Sequence, residues 1–268
     1  MAVRTIESEI HKRLTITGFF ETIGDFGYFL LRIVRNIFKR PLETSETGRQ
    51  IVEIGARSTA LIICCGFALG IVMSLHTRAS MERFGASSMI PAVMTIAFFR
   101  EMGPLVTGLL IAGRVGAGIG AELAGMRVTE QIDALESLAI DSFRYLVVTR
   151  VMACLIALPI LTLLMDFSGM LGGLLSEVTL AHISWRLYVY RAFGSMDWSD
   201  YIPTTLKTTV FGFIIGGVSC FLGYNAKEGA FGVGRASTRS VVYSSLVLIL
   251  INIVLVKLTF FFFPQAGE

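Results

Sequence analysis

Residues 88–112 read SMIPAVMTIAFFREMGPLVTGLLIA, an apolar run broken at its middle by two adjacent charges, Arg100 and Glu101. About 20 mostly apolar residues in helical form cross the ~30 Å hydrocarbon layer of a bilayer. The run is long enough, and nothing else in it is charged. Working outward, four further stretches have the same character: Ser58–Leu75, Val151–Leu175, Thr204–Tyr224 and Val241–Phe263. The composition agrees. Of 268 residues, 54% are hydrophobic and only 16% are charged, with a mean hydropathy of +0.70. Soluble domains carry roughly 25% charged residues. The expected fold is therefore an all-α, polytopic membrane helix bundle with five transmembrane helices.

Before the first span, residues 14–38 place Ile16, Phe19, Phe20, Ile23, Phe26, Leu30, Ile33, Val34 and Ile37 on a helical stripe. Glu21, Asp25, Arg32, Arg35, Asn36 and Lys39 interrupt it too often for a span, but suit a helix lying in the membrane interface. A soluble amphipathic helix packed on a partner is the competing reading. Arg40-Pro41 and the polar run 43–48 close this segment, so residues 1–50 are expected to form an N-terminal interfacial unit and 51–268 the five-span unit. The N-terminus has no uninterrupted apolar core or small-residue cleavage site and does not read as a secretory signal.

With the N-terminus in the cytoplasm, 16 of the 23 Lys and Arg fall in inner segments, and only Arg78, Arg83, Arg186 and Arg191 fall in outer links. That asymmetry predicts a cytoplasmic N-terminus and an outer C-terminus. Trp185, Tyr188, Tyr190, Trp198 and Tyr201 then fit an outer aromatic belt. Gly66/Gly70, Gly116/Gly120, Gly169/Gly173 and Gly212/Gly216 have the spacing that lets helix backbones approach closely in lipid, within the bundle or between copies. Cys64, Cys65, Cys154 and Cys220 lie in apolar runs without metal-ligand spacing and read as packing residues.

The chain lacks a GxxxxGK[ST] loop, an HExxH helix, a GxSxG elbow and any Cys/His cluster, so no catalytic residue, bound cofactor or metal site is expected. A net charge of +3 without a basic block argues against nucleic acid. What remains is the Arg100–Glu101 pair. A charge at mid-bilayer costs about 2.5–3.5 kcal/mol on insertion scales. Adjacent residues point about 100° apart on a helix, so each charge needs its own partner or a watered cavity. Pro104 cannot donate to the carbonyl of Arg100 and, with Gly103, predicts a kink there. A charged, kinked site at this depth reads as a substrate path or as a structural ion pair between helices. Lys207 either lines the same cavity or snorkels to the surface, and Lys257 snorkels.

A second site lies between spans two and three. Val128, Ile132, Leu135 and Ala139 form an apolar stripe, with Glu130, Gln131, Asp133 and Glu136 opposite. A short amphipathic helix over 128–139 would dock on a soluble partner or stand solvated in a loop. Its acidic face makes an anionic membrane surface a poor alternative.

Two long stretches, FFREMGPLVTGLLIAGRVGAGIGAELAGMRVTEQIDALESLAID (98–141) and GYNAKEGAFGVGRASTRSVVYSSL (223–246), strongly resemble the signature regions of the MlaE/YrbE family. These are the permease subunits of lipid-transporting ABC systems that work with MCE-domain proteins. The resemblance covers nearly the whole chain. It implies a homodimer in the cell inner membrane, a cytoplasmic ABC ATPase carrying the ATP and magnesium, a periplasmic MCE-domain protein, in some systems a STAS-domain subunit, and phospholipid as substrate. It places Arg100, Glu101 and Lys207 in a lipid cavity between subunits, with Met73, Met81 and Phe84 as an apolar wall. It makes 128–139 the coupling helix, with Glu130, Asp133, Glu136, Ile132 and Leu135 toward the ATPase. One departure is Asn252, where the family usually carries an acidic residue. The rival from another class is a secondary transporter or ion pathway running on Arg100 and Glu101. Such folds are marked by inverted repeats, and the five spans with dissimilar links show none.

Overall fold

A computed structural model describes residues 16–39, 43–194, 196, 198–227 and 229–262. Its elements are α1 (Ile16–Ile37), α2 (Thr44–Met81), α3 (the helical run Ser87–Val128), α4 (Gln131–Ser137), α5 (the run Phe143–Ala181), α6 (Trp185–Gly194), α7 (Trp198–Tyr224) and α8 (Gly229–Phe262). Among the described residues there is no strand. Among the described residues, five helices are long and apolar enough to cross a membrane. Backbone groups in hydrocarbon must be satisfied within their own segment, and helices do this.

The helices outrun the apolar stretches that announce them. The second span was expected to stop at Ala112, yet α3 continues to Val128 and reaches 42 residues. The fifth span was expected to start at Val241, yet residues 229–240 are already the first three turns of α8, which begins at Gly229. Hydropathy marks the part of a helix inside the oil; the backbone continues beyond it wherever neighbouring helices cover it. The expected boundary at residue 50 falls inside α2, because helix starts again at Thr44. The Arg40-Pro41 break, the first 15 residues, the Trp198 side chain and Phe263 lie outside what is described.

Glycines set the closest approaches. A Cβ on Gly70 of α2 would stand 1.9 Å from the Gly169 carbonyl oxygen of α5, and one on Gly172 would stand 2.1 Å from the Phe67 oxygen. Farther along α5, a Cβ on Gly212 of α7 would lie 2.5 Å from the Cys154 oxygen. On α3, Gly120 is crowded by Ser240 of α8, and Gly116 by Ser219 of α7. Each of the four small-residue pairs is thus used at least in part inside the chain. The bundle centres on α5 and α7, whose apolar stretches are mostly buried, whereas that of α8 is almost wholly uncovered and forms the flank.

One end of the bundle gathers α1, α4 and the α7–α8 turn and is called the elbow end below; α6 and the α2–α3 turn lie at the other. At the elbow end α1 packs Phe29 and Ile33 into the common core, and the Phe29 ring meets Phe143 and Phe221 edge-on at 5.2 and 5.3 Å. Arg32 lies 4.0 Å above the Phe143 ring. Phe20, Ile23, Leu31, Val34 and Phe38 stay exposed on the opposite side. The helix is therefore apolar toward the bundle and toward its surroundings, with Glu21, Asp25 and Asn36 on the strip between. That distribution suits a helix half sunk in a membrane surface.

Candidate functional site

The charged centre of α3 sits on irregular helix. Phe98–Met102 winds as a single π turn, in which the N–H of Gly103 bonds the Phe98 carbonyl five residues back. Gly103 and Pro104 then restart ordinary α-helix. Pro104, which follows directly, has no N–H to offer the Arg100 carbonyl; α3 makes a second π turn at Ala112–Gly116 without a proline. The backbone widens by one residue instead of breaking, as π turns at functional sites commonly do.

The carbonyl that Pro104 cannot serve acquires another partner. Lys207 Nζ, reaching across from α7, donates to the Arg100 oxygen at 3.2 Å and to Glu101 Oε1 at 2.9 Å. Asn252 Nδ2 of α8 donates to Glu101 Oε2 at 3.4 Å. Three helices thus converge on one carboxylate. Lys207 is 4% exposed at its side chain, while Glu101 is 44% exposed. The ammonium is committed to the interior, so it does not snorkel; the carboxylate keeps an open side. Arg100 is itself half-buried on the same turn. Position 252, where the resemblance leads one to expect an acid, holds the amide Asn252. An ionised acid at that position could not donate to Glu101 and would compete with it for Lys207; the amide donates and leaves the ion pair one-to-one.

Met73, Met81 and Phe84 form no part of this hydrogen-bonded cluster. They lie at the far end of α2 and just beyond it, Met73 packed on the core and Phe84 exposed in a 3-10 turn.

At the elbow end the short helix is narrower than its apolar stripe suggests. α4 spans Gln131–Ser137, with Val128 ending α3 and Ala139 beyond the helix in a left-handed conformation. Ile132 is fully buried and Leu135 packs on the core, so both anchor the elbow to its own bundle rather than facing outward. The acidic side chains divide. Asp133 pairs with Arg127 at 2.7 Å, and Glu136 accepts from the Ser142 hydroxyl at 2.6 Å and from Tyr224 at 3.4 Å. Glu130 projects exposed from a left-handed backbone, φ 58°. At the other end of α4, Leu138 is 72% exposed. Glu130, Asp133, Glu136 and Leu138 are thus all exposed on the elbow, with Glu136 tied back to Ser142 and Tyr224.

Several buried ionic groups escaped the sequence reading. Glu177 of α5 is fully buried, pairing with Arg78 and accepting from Ser74 at 2.8 Å. Arg150 is 2% exposed and pairs with Glu122 at 2.6 Å. Asp166 is buried in the middle of α5. The rule that singled out Arg100, an ionisable residue inside an apolar stretch, applies equally to Asp166 and would have found it. Tyr188 anchors α6 against Met94 and Met170; burial, with the Glu177 carboxylate adding to it, holds its hydroxyl well above the ordinary phenol range. Among the described residues, no group of three His, Cys, Asp or Glu is arranged to hold a metal ion.

Residues 47–258 match the family model described as Permease MlaE. The chain is 39% identical to a probable ABC transporter permease protein of Rickettsia typhi, over 90% of this chain and 93% of that one. It is 32% identical to the chloroplastic protein TRIGALACTOSYLDIACYLGLYCEROL 1 of Arabidopsis thaliana, over 88% and 67%. It is 28% identical to the intermembrane phospholipid transport system permease protein MlaE of Haemophilus influenzae, over 91% and 94%.

Proposed function

This chain belongs to the MlaE permease family, and on that basis we propose that it is the membrane subunit of an ATP-driven transporter that moves phospholipid between the inner and outer membranes. It is a multi-pass inner-membrane protein and does not itself hydrolyse ATP. The observation that carries the reading is the cluster of Lys207, Glu101 and the Arg100 carbonyl on the π turn of α3. A dedicated ion pair deep in a span is expensive and serves a polar passenger or its gate. The half-open carboxylate can exchange its protein partners for those of a head group, while the Arg100 side chain supplies a cation on the same turn.

Energy enters at the elbow. A separate cytoplasmic ATPase binds Glu130, Asp133 and Leu138, and Ile132 and Leu135 transmit its movement because they are locked into the bundle. The elbow end is then cytoplasmic and the C-terminus periplasmic, in line with the Lys/Arg asymmetry. Two copies enclose the passage, and an MCE-domain protein receives or delivers lipid at the α6 end, with a STAS-domain subunit as an accessory. Support for phospholipid comes from the Haemophilus relative, whose name states that cargo.

The test is transfer of a fluorescent phospholipid out of proteoliposomes holding the complete complex. Arg100→Ala and Lys207→Ala should assemble with the ATPase and lose most of the transfer. Transfer at the unaltered rate would reduce the cluster to a structural ion pair. Pull-down of the chain from its native membrane should bring down a P-loop ATPase, and recovery of fully active protein without one would defeat the reading.

A further inference from the structure

Asp166 is 1% exposed, and neither of its carboxyl oxygens has a hydrogen-bond partner. Every other buried ionic side chain described above has a counter-charge or a donor. The carboxyl lies against the backbone of α3 at Gly103: a Cβ built on Gly103 would stand 1.7 Å from Oδ1. Gly103 closes the π turn that presents Arg100 and Glu101. Asp166 therefore occupies the reverse side of the turn whose front carries the Lys207 cluster.

The surroundings offer no compensation. On α2, the only titratable side chains between Arg57 and His76 are Cys64 and Cys65. On α5, the nearest are Cys154 and Glu177, about three turns away in either direction. On α7, the Lys207 ammonium is held by Glu101 and the Arg100 carbonyl. On α3 the charged groups nearest Gly103 in sequence are Arg100 and Glu101, the next being Arg114, about three turns on; Thr107, one turn past Gly103, is buried with its hydroxyl also unpartnered. From α6, Tyr188 points at Met94 and Met170. An ionised carboxylate in such a setting would stand uncompensated in low dielectric, whereas the neutral acid lacks only hydrogen bonds.

We propose that Asp166 is a proton-binding site that clamps α3 to α5: the carboxylic acid forms when the two helices are packed, and gives its proton to water when they part. The carboxylate left behind cannot remain between apolar helix faces, so the proton and the α3–α5 contact leave together. Because Gly103 is both the contact and the end of the π turn, release shifts the turn that carries Arg100 and Glu101. This rests on α3 and α5 spanning the membrane and is independent of what the passenger is. A sodium ion fits the site less well, since the carboxyl is the only acidic group there and no metal-holding cluster exists among the described residues.

Dicyclohexylcarbodiimide, an apolar reagent that modifies protonated carboxyls, tests this on the purified chain in lipid nanodiscs. Peptide mass spectrometry should find Asp166 modified at neutral pH, with the modification fading as pH rises. Asp166→Asn, an isostere of the neutral acid, should fold and lose the label. The clamp has a second readout. A group that is neutral in the packed state and ionises on unfolding contributes stability at low pH that is lost on raising the pH. The thermal midpoint of the unaltered chain should therefore fall relative to that of Asp166→Asn on going alkaline. Absence of label at every pH, parallel midpoint profiles for the two chains, or protection from the reagent by sodium but not potassium would each overturn the proposal. None of these readouts uses ATP or lipid transfer, so failure here is separable from failure of the transporter reading.

Discussion

Among single residues, unequal burial decides how the ion pair responds to substitution. Lys207 is enclosed and Glu101 has an open side. Removing Glu101 strands a buried ammonium, a change of the kind that costs about 3–5 kcal/mol. Removing Lys207 leaves a carboxylate that can turn to water, at about 1 kcal/mol. Thermal scans in detergent should therefore place Glu101→Ala well below Lys207→Ala, although both delete the same contact. Equal midpoints would mean the pair is hydrated on both sides. The two adjacent charges and the proline were legible in the sequence. Their solution was not, because which carbonyl Pro104 orphans is local, while the donor that reaches it stands 107 positions away.

Between helices, the glycines separate into those that set spacing and those that do not. Gly70 meets backbone, which cannot yield, so Gly70→Ala should force α2 from α5 and destabilise by about 1–3 kcal/mol. Gly118 lies on α3 with nothing within 4 Å of the place an alanine methyl would take. Gly118→Ala should raise the thermal midpoint, by about 0.5–1 kcal/mol in stability, because alanine loses less backbone entropy in a helix. A loss of function in Gly118→Ala with the fold intact would place a partner or second copy on that open face. Spacing of glycines is visible in a sequence; whether the facing helix belongs to the same chain is not.

The elbow allows docking to be separated from folding. Glu130 holds a left-handed backbone that a side chain disfavours by about 1 kcal/mol or more. Glu130→Gly should relieve that strain and leave the elbow at least as stable, while deleting the exposed carboxylate. If Glu130 contacts the ATPase, this variant should be stable and yet show several-fold weaker lipid-stimulated ATP hydrolysis in the reconstituted complex. Full stimulation would remove Glu130 from the docking surface. Asp133→Lys is a poorer probe, since it also breaks the internal pair with Arg127.

Across the bundle as a whole, α8 is the exposed flank, and Asn252 on it reaches the Glu101 cluster. Movement of α8 against α3 and α7 is thereby coupled to the charged site through one hydrogen bond. Asn252→Ala should keep the fold, since the bond is long and Glu101 is part exposed, and change lipid transfer more than the thermal midpoint. A midpoint loss as large as that of Glu101→Ala would make Asn252 a structural residue instead.

Five spans, a helix-only fold, an apolar surface helix at the start and a polar elbow between spans two and three were all readable from residue order. They follow from how many consecutive residues avoid water, which is a property of the chain taken in order. The costly charges were marked there too, because a charge in oil is conspicuous without any partner in view. Four features emerge from the packed bundle alone: Lys207 turns inward, Ile132 is buried and Leu135 packs on the core, the glycine stripes are used within the chain, and Asp166 lies without a hydrogen-bond partner behind the π turn at 98–102. Each depends on which faces of distant helices meet, and a one-dimensional pattern of hydropathy carries no information about that.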